Sequence, residues 1–528
     1  MSSTSPSSIF FRLTTNLTTT LTTSAPALAL LLGSVAPGCG GWYESFDPQE
    51  ASIDELRSQV KSGHVSCRRV VERYEDLRDK IEPQINALVT WNDRLRGDAD
   101  RLDRIPVWQR GSLHCVPVVV KDNIDVAGLP TSVGAGGLAG TVATQNAEIV
   151  TRLLDAGAIV LGKSNLPDFA LDGTNTLSSV AGQTRNPYNL GLSVYGSSGG
   201  SAAAIASSLG VIGLGTDTYG SLVQPASATA LVTLRPTQGL VARAGIAPLM
   251  TLQDMPGPMT RTVSDAAIAL ELLVDKTQSG KGSQDYTKVL KTDGLRALHV
   301  GWDPLVLQEV AALGWQPSKD VVALFNSAVS QLTLAGVNTK QVSAVMPLLP
   351  SLQDLSNASF ACMPVDFKEG INAYLQARGA SAPAKSLADV LAGGRFLASA
   401  RSFLESAQSQ SDTIATSGAC QSYLTKKEST AAAISALMDR EELDLLVYPA
   451  ANQPVPMAGQ KPPAGWFGFQ ILSSPTGLPS LSMTMGIEPT SGAPVGLIFL
   501  ARKYQEAKLI QAAFGLEAQA RARVAPRL

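Results

Sequence analysis

Residues 195–221 read Tyr-Gly-Ser-Ser-Gly-Gly-Ser-Ala-Ala-Ala-Ile-Ala-Ser-Ser-Leu-Gly-Val-Ile-Gly-Leu-Gly-Thr-Asp-Thr-Tyr-Gly-Ser. A glycine-serine run, Tyr195 to Ser201, is followed by an alanine-rich segment. The apolar run Val211–Leu214 then leads into a second turn, Asp217-Thr218-Tyr219-Gly220-Ser221. Alanine is the strongest helix former, so Ser201–Ala206 predicts a helix, and Val211–Leu214 predicts a buried strand. A flexible linker would run on into polar, structureless sequence; this one runs into a helix. Serines beside glycines at a helix start gather hydroxyls and free N–H groups in one place. In the second turn, successive backbone N–H groups can converge on an oxyanion.

Working outward, the same alternation recurs. Val116–Val120 and Ala158–Leu161 predict strands, and Ala147–Ala156 between them has helical spacing. Such alternation argues for an α/β fold class with helices layered on a buried sheet. Ala297–Gly301 and Leu443–Tyr448 predict further strands, and Gln505–Arg523 a final helix. Residues from Ser52 to Asn92 read as helical, with Ser52 as N-cap ahead of Asp54 and Glu55. The stretch from Lys276 to Arg440 reads as helical cover with no chemistry of its own.

The chain has 528 residues, 45% hydrophobic and 16% charged, with 42 basic against 44 acidic side chains and net charge −2. This is the profile of a globular protein with a large core. The balanced charge gives no field for nucleic acid or anionic membrane, so no nucleic-acid partner is expected. Five cysteines (Cys39, Cys67, Cys115, Cys362, Cys420) are scattered without a C-x-x-C pair, and suggest neither a zinc site nor a disulfide framework. With three histidines and no H-E-x-x-H, no metal is expected.

Residues 1–43 differ from the remainder, 44–528. They are Ser/Thr-rich, and their apolar run Ala25–Val35 is too short to span a bilayer as a helix. The run ends in Ala36-Pro37-Gly38-Cys39, a layout that resembles an export signal with Cys39 where a lipoprotein carries its anchor. Export is expected, with a disordered tail on a cytoplasmic protein as the alternative. Asn16-Leu17-Thr18 and Asn357-Ala358-Ser359 match the glycosylation acceptor pattern.

Two pattern matches need weighing. Gly157-Ala-Ile-Val-Leu-Gly162-Lys163-Ser164 fits the P-loop, but its four intervening residues read as the strand itself and Pro167 interrupts any following helix. Gly196-Ser197-Ser198-Gly199-Gly200 contains the G-x-S-x-G elbow of α/β-hydrolases, which needs an acid and then a histidine downstream. Only His299 follows, in a strand-like setting that reads as core, so a serine esterase using His299 stays the weaker alternative.

Lys121 closes Val118-Val119-Val120-Lys121 and precedes Asp122-Asn123-Ile124-Asp125, where the strand must end. It either snorkels to solvent or sits in a crevice, where desolvation lowers its pKa from about 10.4 toward neutrality and makes it a base.

Taken together, Lys121 in V-V-V-K-D-N-I-D, Ser197 in G-S-S-G-G-S and Ser221 in G-T-D-T-Y-G-S-L-V-Q-P-A resemble the amidase signature hydrolases, whose two catalytic serines also stand 24 residues apart. Leu113–Pro117, Gly162–Asn165, Thr184–Pro187, Leu234–Val241, Asp254–Met259 and Ser474–Ser480 extend the resemblance over roughly residues 50 to 525. Ser-Leu-Val-x-Pro-Ala is more similar to the bacterial peptide-amidase branch than to the tRNA amidotransferases. The resemblance implies one large mixed β-sheet surrounded by helices over residues 44–528, and hydrolysis of carboxamides to carboxylate and ammonia or amine. It also implies Ser221 as nucleophile, Ser197 as a bridging serine after a cis peptide, and Lys121 as terminal base. Backbone N–H groups of Thr218, Tyr219, Gly220 and Ser221 would form the oxyanion hole, and Tyr219, Gly196 and Gln224 would contact a small-molecule or peptide amide. No cofactor is implied. Position 219 is commonly Gly or Asp in the family, and Cys115 stands where glycine is usual. Tyr219 places a phenol beside the site, which keeps a non-catalytic amidase-like binding protein as an alternative.

Overall fold

The computed structural model describes residues 46–275, 285–343, 345–379, 382–463, 465–466 and 468–528. The expectations for residues 1–43, including Cys39 and the Asn16 acceptor, lie outside the described residues. The strands are β1 (Leu88–Trp91), β2 (Pro117–Lys121), β3 (Ile159–Ser164), β4 (Leu177–Ser178), β5 (Gly182–Gln183), β6 (Ile212–Asp217), β7 (Val232–Arg235), β8 (Met255–Thr260), β9 (His299–Trp302), β10 (Asn338–Gln341), β11 (Leu445–Pro449), β12 (Ser480–Ile487) and β13 (Pro494–Ala501). Eleven form one mixed sheet in the order β1-β3-β2-β6-β8-β7-β12-β13-β11-β9-β10, and β4 and β5 pair separately. The α/β expectation holds.

β2 lies between β3 and β6, parallel to both. All five of its residues are buried, as are all six of β6. Strands covered on both faces read as continuous apolar runs, which is why this part of the sheet was visible in the sequence. The helix Gly199–Ala206 packs against it and is fully buried. Its small side chains allow close approach: a Cβ on Gly200 would lie 2.4 Å from the Asn165 carbonyl oxygen and 2.7 Å from that of Ala87. The P-loop look-alike is explained in the same way. A Cβ on Gly162 would meet the Thr90 carbonyl of β1 at 2.3 Å, and Lys163 is buried in an ion pair with Asp122 at 2.9 Å.

The expected helix over 52–92 is instead two helices and a strand. Ser52 and Glu55 form a capping box on Ile53–Lys61; Cys67–Ile85 follows and ends at Asn86, whose φ is 51°. The last helix is Glu506–Ala520, and Glu148–Asp155 occupies the expected position before β3.

Four cysteines correct the sequence reading. Cys67 is bonded to Cys115 and Cys362 to Cys420, across 48 and 58 residues. Such separations leave no local spacing pattern; packing of the helix Leu349–Ala377 against Gly418–Arg440 brings the second pair together. Closing a loop of that length stabilises by about 4 kcal/mol through the unfolded chain's entropy. We expect C362S/C420S to lower the free energy of unfolding by about that amount in a urea titration, and the denatured, unreduced full chain to release one thiol to Ellman's reagent.

Candidate active site

The C-terminal ends of the adjacent parallel strands β2 and β6 place Lys121 beside Thr216 and Asp217, and a crevice beyond strand ends is where open α/β sheets bind ligands. Lys121 is completely buried. Its Nζ lies 2.7 Å from Ser197 Oγ, 3.0 Å from Ser198 Oγ and 2.9 Å from Thr216 Oγ1. Asp122, next to it in sequence, is taken by Lys163 and Ser132, so among the described residues Lys121 has no carboxylate within hydrogen-bond distance. Burial lowers its pKa to about 7, against a partial upward pull from Asp217 and Asp254.

These contacts satisfy a neutral amine, which has two donors and one lone pair. Ser198 Oγ points its own hydrogen at the Thr216 carbonyl, 3.1 Å away, and so accepts from Nζ. Thr216 Oγ1 accepts the second N–H, and the lone pair is left for the hydroxyl of Ser197. The peptide between Gly196 and Ser197 is cis. Gly196 itself is wedged between the carbonyls of Asp172 and Asn175, where a Cβ would lie 2.3 and 2.8 Å from their oxygens.

The turn after β6 is held from every side. Asp217 accepts from the N–H groups of Gly220 (2.9 Å) and Leu222 (2.8 Å), and pairs with fully buried Arg235 at 3.1 Å. Thr218 Oγ1 donates to Asp254, and its carbonyl accepts from Gln253 Nε2 at 2.7 Å. The Gly220 carbonyl accepts from the Gln224 N–H at 2.9 Å, and the Ser221 carbonyl from the Ser198 N–H at 3.2 Å. Gly220 therefore differs from expectation: its N–H is committed to Asp217. Among the described residues the N–H groups of Thr218, Tyr219 and Ser221 have no protein acceptor. Removing one partner of a buried ion pair costs about 3–5 kcal/mol, so Asp217→Ala is expected to destabilise by that amount in denaturant melts, with Asp217→Asn losing less.

Gln224 is buried, and its side-chain Nε2 is turned to the Ala450 carbonyl at 2.5 Å. Tyr219 stacks flat on Phe360, ring centroids 4.5 Å apart and planes 2° apart. Its hydroxyl sits near Ser356, Ser359 and Gln253 without a well-formed hydrogen bond, and burial pushes its pKa up to about 12. Burial likewise raises Asp254 to about 6, opposed by donors from Thr218, Met250 and Leu249. A cavity of about 620 Å3 shares Thr216 and Asp254 with this centre, but neither Ser197 nor Ser221 lines it.

His299 is not a core residue. It is exposed at the start of β9, where its Nδ1 lies 3.0 Å from the Glu442 carbonyl. Six inter-strand steps separate β9 from β6, about 29 Å at ~4.8 Å per step.

The sequence reading overlooked Gln253, Ser198 and the helix Leu349–Ala377, assigned only to cover. That helix brings Phe360 onto Tyr219, and its Ser359, part of the glycosylation-like triplet, is buried and donates to Gln253 Oε1 at 2.7 Å. The apolar-helix pattern that predicted cover carries no mark of such contacts.

The family described as Amidase matches residues 69–510. The chain belongs to the amidase signature family. It is an amidase-family hydrolase acting on C–N bonds. It is 31% identical to a glutamyl-tRNA(Gln) amidotransferase chain of Exiguobacterium sibiricum, over 89% of this chain and 97% of the relative. It is also 31% identical to the peptide amidase of Stenotrophomonas maltophilia, whose structure superposes with a TM-score of 0.80 over 91% of this chain and 99% of that one. A probable amidase of Arabidopsis thaliana is 28% identical, covering 90% of each chain. No helix among the described residues is long and apolar enough to cross a membrane.

Proposed function

We propose that this amidase hydrolyses carboxamides, C-terminal amides of peptides foremost, through an acyl-enzyme on Ser221. The observation that carries the reading is Lys121 Nζ, buried without a carboxylate and 2.7 Å from Ser197 Oγ. Neutral Lys121 takes the Ser197 proton as Ser197 takes that of Ser221, whose Oγ attacks the amide carbon. Lys121 and Ser197 are already in contact, while the Ser221 hydroxyl has no hydrogen-bond partner among the described residues and must close onto Ser197 when substrate is bound. The N–H groups of Thr218, Tyr219 and Ser221 stabilise the resulting oxyanion. Ser197 returns the proton to the departing nitrogen, the C–N bond breaks, and water cleaves the ester by the same relay.

The peptide class is supported by the similarity to peptide amidase, a protein also solved with the competitive inhibitor chymostatin. The Tyr219–Phe360 stack adds an apolar surface in which Phe360 is 51% exposed. Two disulfides favour an oxidising compartment, which supports export directed by residues 1–43.

The test is ammonia release from a panel of peptide amides together with labelling by a fluorophosphonate. Label on Ser221 with turnover supports the reading. Turnover that survives loss of Ser221 but not of His299 would support the esterase-like alternative, and neither label nor turnover would support a binding protein.

A further inference from the structure

Gln253 stands on the segment before β8, 1% exposed, with both ends of its side-chain amide engaged. Nε2 donates to the Thr218 carbonyl at 2.7 Å, while Oε1 accepts from Ser359 Oγ at 2.7 Å and from the Tyr423 hydroxyl at 2.9 Å, whose one hydrogen is shared with the Pro475 carbonyl at 3.1 Å. A flipped amide would set Oε1 against a carbonyl that can only accept, so the orientation is fixed by the partners. The main chain of Gln253 is held as well: its carbonyl accepts from Arg235 Nη2 at 3.0 Å and its N–H donates to the Met250 carbonyl at 3.0 Å.

The consequence follows from peptide geometry. In a planar trans peptide the C=O and the next N–H point in opposite directions. Anchoring the Thr218 carbonyl on Gln253 therefore aims the Tyr219 N–H away from Gln253, and that N–H has no acceptor among the described residues. The anchor is braced from outside the catalytic sheet. Ser359 lies three residues before Cys362 on Leu349–Ala377, and Tyr423 three residues after Cys420 on Gly418–Arg440. The Cys362–Cys420 disulfide thus joins the two helix faces that supply both donors to Oε1.

We infer that Gln253 is a positioning residue for the oxyanion hole: its amide fixes the Thr218–Tyr219 peptide plane so that the Tyr219 N–H meets the reacting carbonyl, with Ser359, Tyr423 and the Cys362–Cys420 disulfide holding the amide in place. The inference rests on Ser221 being the nucleophile. It predicts an effect on the transition state and little on ground-state binding, because the plane matters most when charge develops on the carbonyl oxygen.

The test compares Gln253→Met with the unaltered full chain, using ammonia release from a peptide amide, inhibition by a peptide aldehyde and fluorophosphonate labelling. An aldehyde adds the Ser221 oxygen to its carbonyl carbon, so its affinity reads the oxyanion donors directly. The expected result is a kcat lower by about 10- to 100-fold, a KM within threefold, and an aldehyde Ki raised by a similar factor to the loss in kcat/KM. An unchanged kcat, or a loss carried by KM with an unaltered aldehyde Ki, overturns the inference. If Gln253→Met does not fold, S359A/Y423F decides: lowered kcat at constant KM supports the clamp, and unchanged kcat refutes it. Failure of the underlying reading looks different, since the unaltered protein would then neither take the label on Ser221 nor turn over.

Discussion

Ser221→Ala is expected to remove amide hydrolysis by a factor on the order of 10^4 or more, with fluorophosphonate labelling lost and the fold retained. On the proposed mechanism the size follows from the loss of the atom that forms the covalent bond; in serine hydrolases what survives is the contribution of the oxyanion hole and binding. Retention of fold follows from the local structure. Ser221 is held by its carbonyl, bonded to the Ser198 N–H, and its side chain makes no hydrogen bond among the described residues. The Asp217 carboxylate holds the neighbouring Gly220 and Leu222 N–H groups independently of it. The measurement is ammonia release over hours at high enzyme concentration, beside a thermal melt. Hydrolysis within tenfold of the unaltered enzyme in a folded Ser221→Ala protein would place the nucleophile elsewhere.

The parts of this centre that were legible in the sequence are those that local pattern determines. Three valines ahead of Lys121 mark a strand covered on both faces, and a charged residue at its end marks the crevice. The glycine-serine run marks a helix start packed against backbone, where Gly200 leaves no room for a side chain. What was not legible depends on contacts between distant segments. Gln253 reads as an ordinary polar residue until Ser359 and Tyr423, from two helices more than 100 residues downstream, converge on its oxygen. Cys362 and Cys420 show no pairing logic until those same helices pack.

A different kind of miss concerns competition for donors. A run of four backbone N–H groups suggested four oxyanion contacts, yet the Asp217 side chain curls back onto Gly220, and Arg235 holds that carboxylate in place. Asp217 was quoted in the motif only as a turn residue. An aspartate side chain commonly accepts from backbone N–H groups two or three residues on, and applying that rule would have removed Gly220 from the set.

Lys121→Met carries the second large effect, and its signature is a division between activity and stability. Methionine fills a similar volume without a charge or lone pair. If Lys121 is the base of the proposed relay, its loss is expected to lower kcat/KM by about 10^2- to 10^4-fold. The unaltered enzyme should gain activity as pH rises through about 7, where Lys121 loses its proton, and level off above. Stability changes over a different window. Lys121 has its pKa lowered to about 7 in the folded chain against 10.5 in the reference state. Between these values the unfolded chain binds a proton that the folded chain does not, so stability rises with pH across that window. Below about 7 the ammonium is charged and desolvated in the folded state, and its full penalty is present. Methionine removes that penalty. Its stability relative to the unaltered enzyme should therefore be greatest below pH 7 and decline as pH approaches 10.5. The hydroxyls of Ser197 and Thr216 lose a partner in the variant, but that loss does not depend on pH and leaves the slope as the readout. Urea melts at pH 6, 8 and 10 measure it. A stability difference that is flat with pH would mean that Lys121 keeps its proton in the folded enzyme and cannot serve as the base, and a kcat/KM that does not change between pH 6 and 8 would mean that its proton does not leave near pH 7.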